Sequence, residues 1–140
     1  MTILKNSLFM DKTGAGKLLA KFCVDLLGGT PSPLFVAALL FLVSSFLTQF
    51  MSNTATATLL CPIGVAIAQQ IGASPHAVVM SITIGIACAY ATPVGTPPNT
   101  LVLGPGGYRF MDYVKVGTPL IFVSFIVSMI VIPIVWPFFK

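Results

Sequence analysis

Apolar residues form long blocks along this 140-residue chain, and short polar stretches separate the blocks. The blocks predict helices over residues 34–51, from about 54 to 70, and from 74 to about 91. A last block, residues 116–136, is long enough to span about 30 Å of hydrocarbon. The pattern therefore predicts an all-α fold with at least one helix that crosses a membrane.

The N-terminal part has a different pattern. In residues 17–27, charged side chains recur with helical spacing and apolar side chains take the opposite face. This helix is too short and too charged to span, so we expect it to lie in the membrane interface or to pack as a peripheral helix. Gly28-Gly29 ends it. We therefore divide the chain into residues 1–29, with the interfacial amphipathic helix, and residues 30–140, with the membrane-embedded elements.

The composition indicates an integral membrane protein. The chain is 56% hydrophobic and 7% charged, whereas soluble domains carry about 25% charged residues. Between Leu26 and Tyr108 there is no Asp, Glu, Lys or Arg. We expect a multi-pass protein of the cytoplasmic (inner) or plasma membrane. The net charge of +4 comes from the ends and loops, where basic residues anchor membrane proteins, so it calls for no nucleic acid partner.

Two polar stretches interrupt the apolar blocks. The first is Ser52-Asn53-Thr54, and the second is ATPVGTPPNT, residues 91–100. The prolines and glycine of the second stretch cannot continue a helix. In lipid, each backbone group left unpaired by a broken helix costs several kcal/mol. Both interruptions must therefore be buried in protein or line a wet cavity.

We predict that Ser52-Asn53-Thr54 is the tip of a re-entrant helical hairpin and that the second stretch breaks a transmembrane helix. The two breaks would then face each other and form a polar pocket at membrane depth. The alternative is that the serine and threonine only cap a kinked helix and that the prolines only kink another. The matching Asn-Thr pairs that end both stretches favour the pocket.

Helix ends give such a pocket its chemistry. A helix that begins at Thr54 presents free N–H groups and a positive dipole end, which suit an anion. The preceding helix ends in free carbonyls, and Thr48 places its hydroxyl on the same face as Ser52. Broken helices with ends near the midplane are typical of ion-coupled transporters. No nucleophile and base pair exists in the apolar region, so we predict that the chain is not an enzyme.

Three motifs resemble the divalent anion/sodium symporter family. FLTQFM followed by SNTAT resembles the Ser-Asn-Thr signature of that family, and ATPVGTPPNT resembles its second signature. YRFMDYVKVGTPL resembles the start of its final helix. The resemblance runs from about Gly14 to the end of the chain. It covers only the second repeat of the family, because one Ser-Asn-Thr stands where the family has two.

The resemblance implies one half of an inverted-repeat transporter that ends in a final transmembrane helix. Family members move dicarboxylates, citrate-like acids or sulfate with sodium, through an elevator motion against a dimeric scaffold. The implied partners are a small anion, the lipid bilayer, a missing first-repeat half and a second copy of the complete transporter. Na⁺ is the implied coupling ion, and no organic cofactor is implied.

The resemblance also implies roles for individual residues. Ser52, Asn53 and Thr54 at the hairpin tip would hold the substrate's anionic group. Thr96 and Pro97 would approach it from the second break. Sodium would be bound by oxygens of Thr48, Met51, Asn53 and Gly95. Those of Met51 and Gly95 would be backbone carbonyls. Neutral oxygens suit Na⁺, and the region holds no fixed carboxylate to repel an anionic substrate.

Two further interpretations remain open at this point. One is a sodium-independent anion channel or an oxyanion exporter subunit that uses the same hairpin. The other is a non-transporting membrane subunit whose polar breaks dock a partner. We expect His76, near the start of the third helix, to lie outside the pocket, so this part of the chain offers no obvious proton carrier.

Overall fold

The computed structural model describes residues 32–138, in which five α-helices follow one another without a β-strand. The helices are α1 (Pro33–Leu47), α2 (Asn53–Gln70), α3 (Pro75–Ala87), α4 (Pro97–Leu103) and α5 (Phe110–Val135). The predicted all-α class is confirmed for these residues. The interfacial helix predicted at residues 17–27 lies outside the described part of the chain.

Serine residues mark the starts of the first three helices. The Ser32 hydroxyl oxygen accepts a hydrogen bond from the Phe35 N–H at 3.3 Å, and that of Ser52 accepts from the Ala55 N–H at 3.2 Å. Ser74 takes the same position before α3, where a proline follows it. Ser32 and Ser52 are ordinary helix caps, whereas the Ser74 side chain makes no cap hydrogen bond. Because such positions can be read from sequence, the predicted starts lie within one residue of the observed ones.

The end of α3 differs from the prediction. The sequence predicts a helix to about residue 91, but α3 ends at Ala87. The side chain of Gln49 explains the difference, since its Nε2 donates to the Cys88 carbonyl at 2.8 Å and its Oε1 accepts from the Ala91 N–H at 3.1 Å. A side chain from α1's C-terminal turn thus takes the backbone partners that a longer helix would have used.

One described helix, α5, is long and apolar enough to cross a membrane, and most of its surface is exposed. The helices α1 and α3 are apolar but short, with 15 and 13 residues. At 1.5 Å per residue they reach only about 22 and 20 Å, less than the roughly 30 Å of a bilayer's hydrocarbon. Each is therefore shorter than the hydrocarbon layer of an ordinary bilayer.

The core lies where α1, α2 and α3 pack together. α3 lies between the other two, and α1 packs most extensively against it. The buried apolar side chains of this core are Val36, Leu40, Leu60, Ile67, Ala68, Val78, Ile82 and Ile86. Burial of such side chains contributes about 1.5–3 kcal/mol each when they leave water, but within lipid the packing itself holds the helices together.

Gly85 lets α1 and α3 approach closely. A Cβ at this position would come within 2.6 Å of the Phe41 carbonyl oxygen and would also collide with the Ser44 hydroxyl. Just beyond the C-terminal ends of the two helices, the Gln49 Nε2 donates to the Cys88 carbonyl at 2.8 Å. The two helices therefore run in the same direction, and their C-terminal ends lie side by side.

The long helix α5 runs antiparallel to α3. Near its end, the Phe138 carbonyl accepts from the Ser74 N–H at 2.8 Å, at the start of α3. Its middle is joined to the residues after α3 by a hydrogen bond of 2.7 Å between the Tyr90 and Ser124 hydroxyls. Contacts along α5 thus connect it to both ends of α3.

The close approach at Gly85 generates a stability prediction. Gly85→Ala should lower the free energy of unfolding by about 1–3 kcal/mol, because backbone atoms of Phe41 cannot move aside without separating the helices. Thermal unfolding of the purified protein in detergent measures the effect. Gly104→Ala is the matched control, since a Cβ there meets nothing within 4 Å. Equal shifts for the two variants would contradict the close packing.

Candidate functional site

Four helix ends meet at two interruptions of the helical structure. The first break, residues 48–52, joins α1 to α2, and the second break, residues 88–96, joins α3 to α4. Each break thus joins the C-terminal end of one helix to the N-terminal end of the next. The first break therefore brings the carbonyl oxygens of one helix end close to the free N–H groups of a helix start.

Thr48 lies at the centre of the first break. Its side chain is fully buried, and its hydroxyl donates to the Asn53 Oδ1 at 2.6 Å. Among the residues that the structure describes, the carbonyl oxygens of Thr48 and Met51 accept no hydrogen bond. The Thr48 hydroxyl and the Asn53 amide oxygen are thus in contact, free carbonyls follow in the same short segment, where Met51 is exposed, and no carboxylate is present there. A set of neutral oxygens of this kind suits a small hard cation such as Na⁺.

Gly95 brings the second break against the first. It is buried, and a Cβ there would lie 3.2 Å from the Thr48 carbonyl oxygen and 3.0 Å from that of Ala89. Its N–H donates to the Thr92 hydroxyl at 3.2 Å. A side chain at residue 95 would therefore press on backbone atoms, so glycine allows this approach.

The N-terminal end of α2 faces outward from the same region. The Ser52 oxygen accepts from the Ala55 N–H, which leaves the hydroxyl hydrogen free to donate. The N–H groups of Asn53 and Thr54, at the start of the helix, have no intrahelical partner. Ser52 and Thr54 are both exposed. The helix start thus offers several donors and a positive dipole end to an anion.

The start of α4 is built differently. Pro97 and Pro98 have no N–H group, and the Thr96 carbonyl accepts from the N–H groups of Asn99 and Thr100 at 3.1 and 3.4 Å. Within residues 32–138, no hydrogen bond joins Thr96 or Pro97 to residues 52–54. The structure therefore brings the predicted sodium residues Thr48, Asn53 and Gly95 together, and it shows no hydrogen bond between the two groups of predicted substrate residues.

Gln49 was not predicted from sequence, although it makes the most extensive polar contacts of the site. It is 5% exposed, and its amide bonds to Cys88 and Ala91 across 39 and 42 residues of sequence. Its own carbonyl accepts from the Thr92 hydroxyl at 2.8 Å. Its position in FLTQFM, next to Thr48, was the available signal, but the sequence does not show which distant groups a glutamine meets.

Asn99 and Tyr113 were also missed. The Asn99 Nδ2 donates to the carbonyls of Ala89 and Thr92, each at 3.1 Å, so it closes the second break on itself. The Tyr113 hydroxyl donates to the Asn99 carbonyl at 2.9 Å, from the first turns of α5. The final Asn-Thr of the second polar stretch was the signal for Asn99.

Fixed charge is scarce around the breaks. The acidic residue of the described chain is Asp112, and it caps α5 by accepting from the Arg109 N–H at 2.8 Å. Among the described residues, no hydrogen bond joins Arg109 or Asp112 to either break. Helix ends, hydroxyls and carbonyls therefore set the local electrostatics.

Comparisons with known proteins agree with the membrane setting. The sequence model of the citrate transporter family (CitMHS) matches residues 6–139. The uncharacterized transporter YfbS of Escherichia coli is 41% identical over 92% of this chain, which covers 21% of that protein. The sodium-dependent dicarboxylate transporter SdcS of Staphylococcus aureus is 31% identical over 91% of this chain and 24% of its own length.

A vertebrate protein is similar over a shorter region. Solute carrier family 13 member 2 of Oryctolagus cuniculus is 38% identical over 73% of this chain and 17% of its own length. The chain thus spans about a fifth of the length of these relatives. The resemblance to the divalent anion/sodium symporters is confirmed. The chain belongs to the citrate transporter family, whose members are integral membrane transporters and not enzymes.

Proposed function

We propose that this chain is the second-repeat half of a sodium-coupled symporter for a di- or tricarboxylate, with sulfate as the remaining candidate anion. The observation that carries the proposal is the contact between the two breaks. There the Thr48 hydroxyl donates to the Asn53 Oδ1 at 2.6 Å. Gly95 of the second break lies close to the carbonyl oxygen of the same threonine. One relative is named as a sodium-dependent dicarboxylate transporter, and the matching family is described as citrate transporters. Both names support di- and tricarboxylates as the substrate class.

The first break is the tip of a re-entrant hairpin in this proposal. Its first arm, α1, is apolar and has 15 residues, which is about 22 Å of helix. An arm of that length ends inside the hydrocarbon of a bilayer about 30 Å thick. The chain then turns back through α2, so the tip lies at membrane depth, where its backbone groups need partners from protein or from bound ions.

Na⁺ binds between the breaks in this proposal. The side-chain oxygens of Thr48 and Asn53 are its ligands, together with the backbone carbonyls of Met51 and Gly95. The Thr48 hydroxyl now donates to Asn53, and a rotation about its C–O bond turns the hydrogen away and frees both oxygens for the cation. The C-terminal ends of α1 and α3 add negative potential at the same place.

The substrate's carboxylate binds at the start of α2. Ser52, Asn53 and Thr54 supply hydroxyl and N–H donors, and the helix dipole favours negative charge there. Thr96 and Pro97 approach from the second break when the pocket is complete. Because Asn53 belongs to both sets, its amide links the two sites, so cation and anion each raise the affinity for the other.

The remaining parts of the transporter are those that the family resemblance implies. A first-repeat half completes the pocket, and two complete transporters form a homodimer that serves as scaffold. Residues 1–29 then form the interfacial segment, and residues 30–140 form the hairpin, the broken helix and the last transmembrane helix. The complete transporter, meaning this chain together with a first-repeat half, is the form that the tests below require unless the chain alone is specified.

Substitutions in the first break should separate the two sites. Thr48→Val keeps the shape and deletes one cation ligand, so it should raise the sodium concentration for half-maximal uptake about ten- to a hundredfold, equivalent to the roughly 1–3 kcal/mol of one lost polar contact. At saturating sodium, the half-saturation for substrate should return close to normal. Uptake of labelled succinate, citrate and sulfate by the complete transporter in proteoliposomes measures both constants.

Thr54→Val is the matched control for the same experiment. It should weaken substrate affinity in a way that excess sodium does not restore, because its hydroxyl is proposed to touch the anion alone. Each constant must be measured with the other ligand saturating, since the sites are coupled. Reversed behaviour of the two variants would assign the residues the opposite way, and no effect from either would place the pocket elsewhere.

Transport should require the complete transporter. This chain alone offers one hairpin and one broken helix without the first-repeat half that completes the pocket, so vesicles that hold only this chain should not accumulate succinate, citrate or sulfate in a sodium gradient. Vesicles with the complete transporter are the control. Sodium-driven accumulation by the chain alone would refute the half-transporter proposal, and a sodium-independent current would favour an anion channel.

Proton coupling through His76 should be absent. His76 is exposed in the first turn of α3, at the end of that helix opposite the breaks. His76→Gln in the complete transporter should therefore leave the sodium dependence of uptake unchanged. Uptake measured against sodium concentration at several pH values tests this. A variant that loses its ion dependence would place the histidine on the coupling path.

A further inference from the structure

We propose that Gln49 is a positioning residue that holds the two breaks together and thereby sets the affinity of the cation site. The hydrogen bonds of Gln49 to Cys88, Ala91 and Thr92 form what we call the Gln49 bracket. This inference rests on the proposed function, because it assigns a role in the same sodium site. We assign Gln49 no ligand role, because its amide nitrogen donates to two carbonyls and its amide oxygen accepts from the Ala91 N–H beyond the end of α3.

The side-chain amide uses both of its ends within the bracket. Its Nε2 donates to two carbonyls, those of Ser45 and Cys88, each at 2.8 Å. Its Oε1 accepts from the Ala91 N–H at 3.1 Å. A buried amide with all of these partners has one orientation, because a flipped amide would place its oxygen against two carbonyls. The bracket therefore fixes the end of α1 against the end of α3.

Thr92 extends the bracket to the proposed cation ligands. Its hydroxyl donates to the Gln49 carbonyl at 2.8 Å and accepts from the Gly95 N–H at 3.2 Å. Thr48 is the chain neighbour of Gln49, so a short path of hydrogen bonds and peptide bonds joins Thr48 to Gly95. The Thr48 carbonyl lies within 3.2 Å of where a Gly95 Cβ would stand.

This geometry has a consequence for the cation. Ligands from two breaks bind a small ion well only when the breaks are held at the right separation before the ion arrives. Without the bracket, ion binding must also order the two loops against each other, and this ordering weakens the affinity. Substitution of Gln49 should therefore act on the cation site first and on the substrate only through the coupling.

The test compares two bracket variants with a buried control. Gln49→Met keeps the length of the side chain and removes its hydrogen bonds, and Thr92→Val removes the hydroxyl between Gln49 and Gly95. Ser81→Ala removes a different buried hydrogen bond, that of the Ser81 hydroxyl to the Val78 carbonyl at 2.7 Å, away from the breaks. All three should lower the melting temperature of the complete transporter in choline chloride.

Only the bracket variants should change the sodium response. Each should raise the NaCl concentration for half-maximal thermal stabilisation roughly tenfold, at ionic strength held constant with choline chloride, the size expected for one buried polar contact. The double variant should shift it by less than the product of the single shifts, because both substitutions break one connection. Ser81→Ala should keep the half-maximal concentration of the unsubstituted protein.

The outcomes separate this inference from the proposed function. If the unsubstituted protein gains stability from NaCl over choline chloride but Gln49→Met and Thr92→Val respond at the same concentration, the bracket is structural only and the inference is wrong. If the unsubstituted protein shows no sodium-specific stabilisation, the proposed sodium site is wrong, and the role of Gln49 in it falls as well. Thr92→Val keeps the test valid if Gln49→Met fails to fold.

Discussion

The structure depends on how the backbone of two broken helices finds hydrogen-bond partners. A helix that stops leaves carbonyls and N–H groups unpaired, and at membrane depth each costs several kcal/mol. At the ends of α1 and α3, the side chain of Gln49 supplies part of the answer by bonding to Cys88 and Ala91. Asn99 does the same within the second break through Ala89 and Thr92. Amide side chains thus replace the missing helical turns.

Local signals in the sequence were enough to predict where the helices begin. Ser32 and Ser52 accept the cap bonds that their positions indicated. The first break overlaps the predicted interruption but begins earlier, because α1 ends at Leu47 and not at residue 51 as predicted. The end of α3 could not be predicted in this way. It depends on Gln49, about 40 residues earlier in the chain, and a tertiary contact of that kind leaves no periodic pattern in the sequence.

The candidate site likewise has a part that local sequence predicts and a part that depends on distant contacts. Thr48 and Asn53 are five residues apart and meet in the structure, as a helix end followed by a helix start allows. Gly95 comes against Thr48 only because the two breaks are packed together. Within residues 32–138, no hydrogen bond joins Thr96 or Pro97 to residues 52–54, and the prolines at the start of α4 have no N–H group. Free donors are therefore concentrated at the start of α2.

The directions of the helices determine where the local potential is negative and where it is positive. The C-terminal ends of α1 and α3 lie side by side, so two negative dipole ends and their free carbonyls favour a cation between the breaks. The N-terminal end of α2 points the opposite sign at the adjacent tip, where Ser52 and Thr54 are exposed. In the function proposed above, Asn53 contributes to both places, so neither ion binds without changing the field that the other one meets. On that proposal, helix ends and neutral side chains link a cation to an anion where fixed charge is scarce.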